Sequence, residues 1–304
     1  MSELLNYPKR TYGMDHNRYD WSMMQDRTPL TWPGNKPLAL WINVSLQHFP
    51  LSGEKPQVAP PGALTMPYPD LRHYTLRDYG NRVGAYRLLK VLGALDAKAS
   101  LAVSGALTER HPELLEYLTK TDYEWLGHSW DMLCMQAGDV DPNTERNWIQ
   151  KTKEALEQHT GKPVKGWLSP GRIQTQNTPE LLAAAGFEFH CDWVNDELPY
   201  TFKTQNGDMT CLPSSLELDD VFLLTQNLHS EDSYVEQVLD AANLLIEEGK
   251  QQGGRVLALN LHPWLIGQPH RIGAIKRMLT TLLVDYQTDI WNASPSEIIV
   301  ASSA

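Results

Sequence analysis

Short runs of consecutive apolar residues alternate along this chain with longer segments in which apolar positions recur every three or four residues. The short runs are 38–45, 99–103, 123–127, 166–168, 187–190 and 256–261, and short, mostly apolar stretches of this kind predict strands. The longer segments, 81–95, 106–118, 142–159, 179–185, 233–248 and 272–285, predict helices. The third helix carries its own punctuation. Asp141 can cap it, Pro142 suits its first turn, and Gly161 followed by Pro163 stops it. Strands joined in this way by helices lie parallel, in an open sheet or a closed barrel.

Two stretches break the alternation. Residues 1–36 mix Pro, Tyr, Trp, Asp and Arg without steady period, which suggests an arm lying across the body of the protein or onto a neighbour. Residues 37–304 then form a single domain. Within it, Pro50, Pro56, Pro60, Pro61, Pro67 and Pro69 rule out regular structure from 50 to about 74, and a loop of that length inside a compact domain is usually functional.

Parallel α/β architectures bind ligands beyond the carboxyl ends of their strands, so the residues following each strand are the first candidates for chemistry. They are polar and aromatic: Gln47-His48-Phe49, His128-Ser129-Trp130-Asp131, Ser169-Pro170-Gly171-Arg172, Asp192-Trp193 and His262-Pro263-Trp264. Three histidines and several polar groups converging on one rim make a hydrolytic constellation. Composition narrows the partners. A formal charge of −11 is the wrong sign for tracking phosphate backbones, so nucleic acid is not an expected partner. No stretch approaches the roughly twenty apolar residues of a membrane span, and the first residues do not read as a secretion signal, so the expected location is the cytoplasm, away from membranes. The three cysteines, Cys134, Cys191 and Cys211, form neither a disulfide framework nor a metal-binding pair.

The five stations, in this order, resemble the successive motifs of the polysaccharide deacetylase (NodB homology) superfamily. The segment from Ser169 to Phe189, a Pro-Gly turn opening a helix that ends in Ala-Gly-aromatic, resembles its third motif. Within the superfamily the closer resemblance is to the branch of metal-independent allantoinases and cyclic amide hydrolases. It rests on Arg77 through Gly84, on Gly127-His128-Ser129-Trp130, on Asp192 through Tyr200, and on Leu261-His262 with Leu265 through Pro269. The resemblance implies an α/β fold, a distorted (β/α) barrel, and a hydrolase of carbon–nitrogen bonds other than peptide bonds.

Departures from the superfamily pattern bear on mechanism. Metal-dependent members carry paired aspartates after the first strand and a second histidine four positions after the first in their second motif; here Gln47 and His48 take the pair's place and Met132 that of the histidine. A Gln side chain cannot take up a proton near neutrality, and Met suits Zn²⁺ poorly. Two readings follow. His48 and His128 hold a divalent metal such as zinc, helped by Asp131 or water; or no cofactor binds, and His48, His128 or His262 handles protons, with His262 as the general acid the resemblance implies. The metal-free reading is the one the branch resemblance favours. Asp192 is then a catalytic carboxylate orienting a histidine, Asp196 and Gln47 accept or donate to substrate, Arg172 makes a bidentate contact, and Trp130, Trp193 and Trp264 wall a planar ring. The expected substrate is a small cyclic amide, imide or ureide, and the expected assembly a homo-oligomer. A metal-dependent N-acetyl sugar deacetylase and a non-catalytic binding protein on the same fold are the alternatives.

Overall fold

The computed structural model describes residues 16–51 and 70–303. The first half of the arm and most of the proline-rich loop therefore lie outside the described residues. β1, Leu38–Leu46, is buried throughout and forms the spine of the sheet. Its side chains alternate between two layers: Leu38, Leu40, Ile42, Val44 and Leu46 pack on the helices, while Ala39 and Trp41 face the other way. Parallel pairing extends from it through β2 (Ser100–Val103), β3 (Glu124–Gly127), β4 (Gly166–Trp167) and β5 (Phe189–His190) to β7 (Met209–Cys211). β8 (Arg255–Leu261) pairs on the other side of β1, and β9 (Ile290–Asn292) pairs with the first residues of β1. Only β6 (Tyr200–Phe202) runs antiparallel, against β7. The sheet curls so far that its two edges meet: the Val256 amide in β8 donates to the Glu197 carbonyl, just ahead of β6, at 3.1 Å. This is the distorted barrel that the motifs imply.

The barrel interior holds an apolar cluster that includes Trp41, Ala102, Leu126 and Phe189. Beside it runs a buried polar chain. Trp41 Nε1 donates to Ser100 Oγ (2.8 Å), Ser100 Oγ to Asn43 Oδ1 (2.7 Å), and Asn43 Nδ2 to Asn260 Oδ1 (2.7 Å). Every member has a partner, so the chain fixes side-chain positions beneath the carboxyl-end rim.

Helix α5, Pro142–Thr160, has the expected ends: Asp141 accepts from the Thr144 amide, and Gly161 sits at φ 67°. The segment before 81 departs from expectation. Helix α1 (Leu71–Tyr79), capped by Asp70, runs through a π turn at Gly80–Gly84 into α2 (Ala85–Ala94). A π turn inserts a residue into the helical phase, so the apolar period of α2 cannot be extended back into α1. Other differences have similarly local causes. Pro112 splits 106–118 into α3 (Leu107–Arg110) and α4 (Pro112–Leu118). The strands β6, β7 and β9, three residues each, are not among those predicted.

The π turn lies directly against α6, Pro263–Ile266. A Cβ on Gly84 would overlap the Pro263 carbonyl, and one on Gly80 would press on Trp264. Gly84→Ala is therefore expected to destabilise the fold by about 1–3 kcal/mol, the usual cost of overpacking, in a denaturant titration; an unchanged midpoint would show that the two elements separate freely. Among the described residues no helix is long and apolar enough to cross a membrane.

Candidate active site

At the carboxyl ends of the strands the barrel opens into a cavity of about 340 Å³, lined among others by Gln47, His128, Arg172, Asp219, His262 and Trp264. Its floor is built from strand ends. His128 follows β3, and its Nδ1 stands 2.6 Å from the Leu168 carbonyl. A carbonyl only accepts, so Nδ1 carries the proton and Nε2 presents a lone pair. That lone pair is already engaged, because Gln47 Nε2 donates to it at 3.1 Å. Trp264 Nε1 donates to Gln47 Oε1 at 3.3 Å, which fixes the amide's orientation. Gln47 thus locks His128 as a neutral imidazole. Burial pushes the His128 pKa down to about 4, against the pull of the Leu168 carbonyl.

His262, after β8, has the opposite environment. Its Nδ1 lies 2.6 Å from Asp220 Oδ1, and its amide donates to Asp220 Oδ2 at 2.7 Å. Burial alone would lower this imidazole's pKa, but the Asp220 and Asp219 carboxylates outweigh burial and hold it above the ordinary histidine value. Asp219 Oδ2 in turn accepts from Arg172 Nη1 at 3.0 Å and from Asn260 Nδ2 at 2.9 Å. Through Asn260 the interior polar chain connects to the site. Arg172 is held on both sides, with Nε donating to Ser214 Oγ (2.7 Å) and Nη2 to the Ser215 carbonyl (3.3 Å). Its backbone is left-handed at φ 57°, uncommon for a residue other than glycine and a local strain of the kind found at functional positions. Arg77 of α1 covers one side, its guanidinium 3.3 Å from the centroid of the Trp264 ring.

The buried donors of the site are already engaged by protein partners. Asp219, Asp220 and His262 bring ligand atoms within 4.8 Å of one another. However, the His262 nitrogen facing Asp220 is committed to a hydrogen bond, and Asp219 is committed to a guanidinium and an amide. At the station the superfamily uses for metal, His128 Nε2 is covered by Gln47 and its companion is Met132.

Residues 74–190 match the family model for polysaccharide deacetylase. A putative polysaccharide deacetylase of Schizosaccharomyces pombe (strain 972 / ATCC 24843) is 21% identical over 301 residues, covering 90% of this chain and 92% of that one. Among solved structures, the Puue allantoinase superposes with a TM-score of 0.79 at 24% identity, over 91% of this chain and 93% of that chain. A probable polysaccharide deacetylase from Pseudomonas aeruginosa PAO1 gives 0.80 at 23% identity, over 90% and 94%. Across residues 74–190 the chain is thus similar to the polysaccharide deacetylase family, and its fold is shared with these solved structures.

The barrel gathers Gln47, His128, Arg172, His262 and Trp264 around one cavity and places the other candidates elsewhere. His48, offered above as base or metal ligand, is not among the cavity residues; its ring packs against His111 at 6.3 Å. The reason is elementary, since neighbouring residues on extended backbone point to opposite sides and Gln47 takes the inner one. The metal pair His48 and His128 is therefore not assembled at the cavity. Asp192 lies beneath the site, accepting from the Ser169 amide (2.6 Å), Ser169 Oγ (2.8 Å) and Gln174 Nε2 (2.5 Å); it braces the cavity wall and orients no histidine. Asp196 is taken by the Arg27 fork of the arm, at 2.7 Å to each oxygen. Trp193 packs on Tyr19 and Phe202, and Trp130 lies under Lys151. Neither lines the cavity. The carboxylates missed in the sequence are Asp219 and Asp220. They follow β7, and their adjacency in a Leu-Glu-Leu-Asp-Asp segment is the signal that a recognised seventh strand would have exposed.

Burial of neutral imidazoles makes stability pH-dependent. His128 is depressed to about 4 and His190, buried with neither ring nitrogen hydrogen-bonded, to about 3. Below pH 6.5 the unfolded chain protonates both while the native state does not, so stability falls as pH drops toward 4. His128 alone contributes about 3 kcal/mol of this loss. Asp192 works the other way, because burial raises it to about 6 and the native state takes up its proton first. The two histidines outweigh it. Melting temperature is expected to decline from pH 6.5 to 4, and His190→Leu to flatten that decline; a parallel decline in the variant would refute the assignment.

Proposed function

We propose that this protein hydrolyses a carbon–nitrogen bond in a small cyclic amide, imide or ureide without a metal, using His262 and Asp220 as its proton-handling pair. The observation that carries this reading is the 2.6 Å contact between His262 Nδ1 and buried Asp220 on the floor of the cavity, beside a histidine already neutralised by Gln47. Asp220 fixes the tautomer so that the other ring nitrogen, Nε2, is the reactive one. In its neutral form His262 takes a proton from water as the water oxygen bonds to the substrate carbonyl carbon. The C–N bond then breaks, the proton passes from His262 to the leaving nitrogen, and the ring opens to a carboxylate. Arg172 uses three of its five N–H groups on protein partners, which leaves two for the developing oxyanion. Trp264 with Arg77 supplies a flat wall for a planar ring. An allantoinase among the structural neighbours is compatible with this chemistry.

The sugar deacetylase reading needs a metal, and its donors are otherwise engaged. The test is a panel of hydantoins, imides and ureides, followed by ring-opening absorbance with enzyme dialysed against chelator. Turnover that persists without metal is expected. Failure of the whole panel, or activity that returns only with added zinc, would overturn the reading.

A further inference from the structure

Above the polar floor, one side of the cavity is made of loop residues that follow β3 and β4 and of the segment that follows β7. Met132 and Met135 come from the first, Leu168 and Ile173 from the second, Leu216 and Phe222 from the third. Apart from the weakly accepting thioethers, none of these six side chains offers a hydrogen-bonding group. Met135 and Leu168 are buried, whereas Met132, Ile173 and Phe222 are half-buried and Leu216 exposed, so the wall reaches from the floor to the mouth. A hydroxyl or amide lodged there would lose its water without gaining a partner, a penalty that disfavours sugars and unsubstituted ureides on that side. Two methionines and Phe222, which sits on a π turn at Phe222–Gln226, provide a surface that adapts to more than one shape.

We propose that the substrate of this site carries an apolar substituent next to the scissile amide, held against Met132, Met135, Leu168, Ile173, Leu216 and Phe222 while the polar ring rests on the histidine floor. This rests on the proposed hydrolysis of cyclic amides and narrows its substrate class. The cavity, about 340 Å³, falls at the small end of ligand sites and suits a five-membered ring with a short alkyl or benzyl group.

The experiment compares succinimides bearing hydrogen, methyl, propyl or benzyl at the ring carbon beside the carbonyl. kcat/KM is expected to rise about fourfold for each methylene added up to propyl, the transfer value of a buried methylene. Met135→Gln is expected to lower the benzyl-to-hydrogen ratio of kcat/KM about tenfold. Ile173→Gln, a half-buried position, provides the same ratio should Met135→Gln fail to fold. Hydrolysis of the unsubstituted ring at an equal or higher rate would overturn the inference while leaving amide hydrolysis intact. If none of the four is hydrolysed, the hydrolytic reading fails for them, and their binding, followed by quenching of tryptophan fluorescence, still decides this inference. Affinity that tightens along the series supports it, and affinity that is flat or weakens refutes it.

Discussion

Replacing His262 by alanine is expected to lower kcat by about a hundredfold to ten-thousandfold, beyond any loss of stability from stranding the buried Asp220. The size of the effect follows from its position. His262 is the one histidine of the floor whose ring is paired with a carboxylate, while His128 has both nitrogens occupied by Leu168 and Gln47. Removing His262 therefore removes both the acceptor of the water proton and its donor to the leaving nitrogen. Steady-state kinetics on the best-turned-over imide would measure the loss. Activity within threefold of the parent would exclude His262 from the chemistry.

Asp219→Ala is expected to cost about 3–5 kcal/mol of stability, the usual result of stranding one partner of a buried ion pair. Arg172 and Asp219 are each less than one-tenth exposed and meet at 3.0 Å, so the guanidinium has no ready access to water once its carboxylate is gone. Asn260 Nδ2 loses an acceptor in the same step. Arg172→Met paired with Asp219→Leu removes both charges and should recover much of the loss in a urea titration, because no unpaired charge remains. A double variant as unstable as Asp219→Ala would show that packing, not charge, is what the pair maintains.

The parts of this molecule legible in its sequence are those with long, uniform signals. β1 and β8 are nine and seven residues of buried side chains, and the residues after them, Gln47 and His262, line the cavity. His128 and Arg172 reached the cavity for the same reason, each following a strand with an apolar run. What escaped has equally local causes. Asp219 and Asp220 lie after a three-residue strand beside an antiparallel partner, with no apolar run before them to mark a strand end. Asp192 and Asp196 stood in their place because they follow the fifth strand, although one braces Ser169 and the other holds the arm. His48 does not line the cavity, consistent with strand alternation, which turns only one of two consecutive residues inward. The pairing of Gln47 with His128 joins residues 81 positions apart, and no local pattern encodes it.

The central claim, a metal-free site run by His262 under the control of Asp220, is tested most directly by the pH dependence of kcat/KM in the parent and in Asp220→Asn. Asp220 and Asp219 hold the imidazole above its ordinary value, so the parent's activity should rise with pH through a midpoint above 6.5, as His262 gives up its proton and becomes a base. In Asp220→Asn the nearer carboxylate is lost and burial weighs more heavily, which should move that midpoint to lower pH while lowering the plateau. Coincident midpoints in the two proteins, or activity that falls with rising pH over this range, would contradict the account.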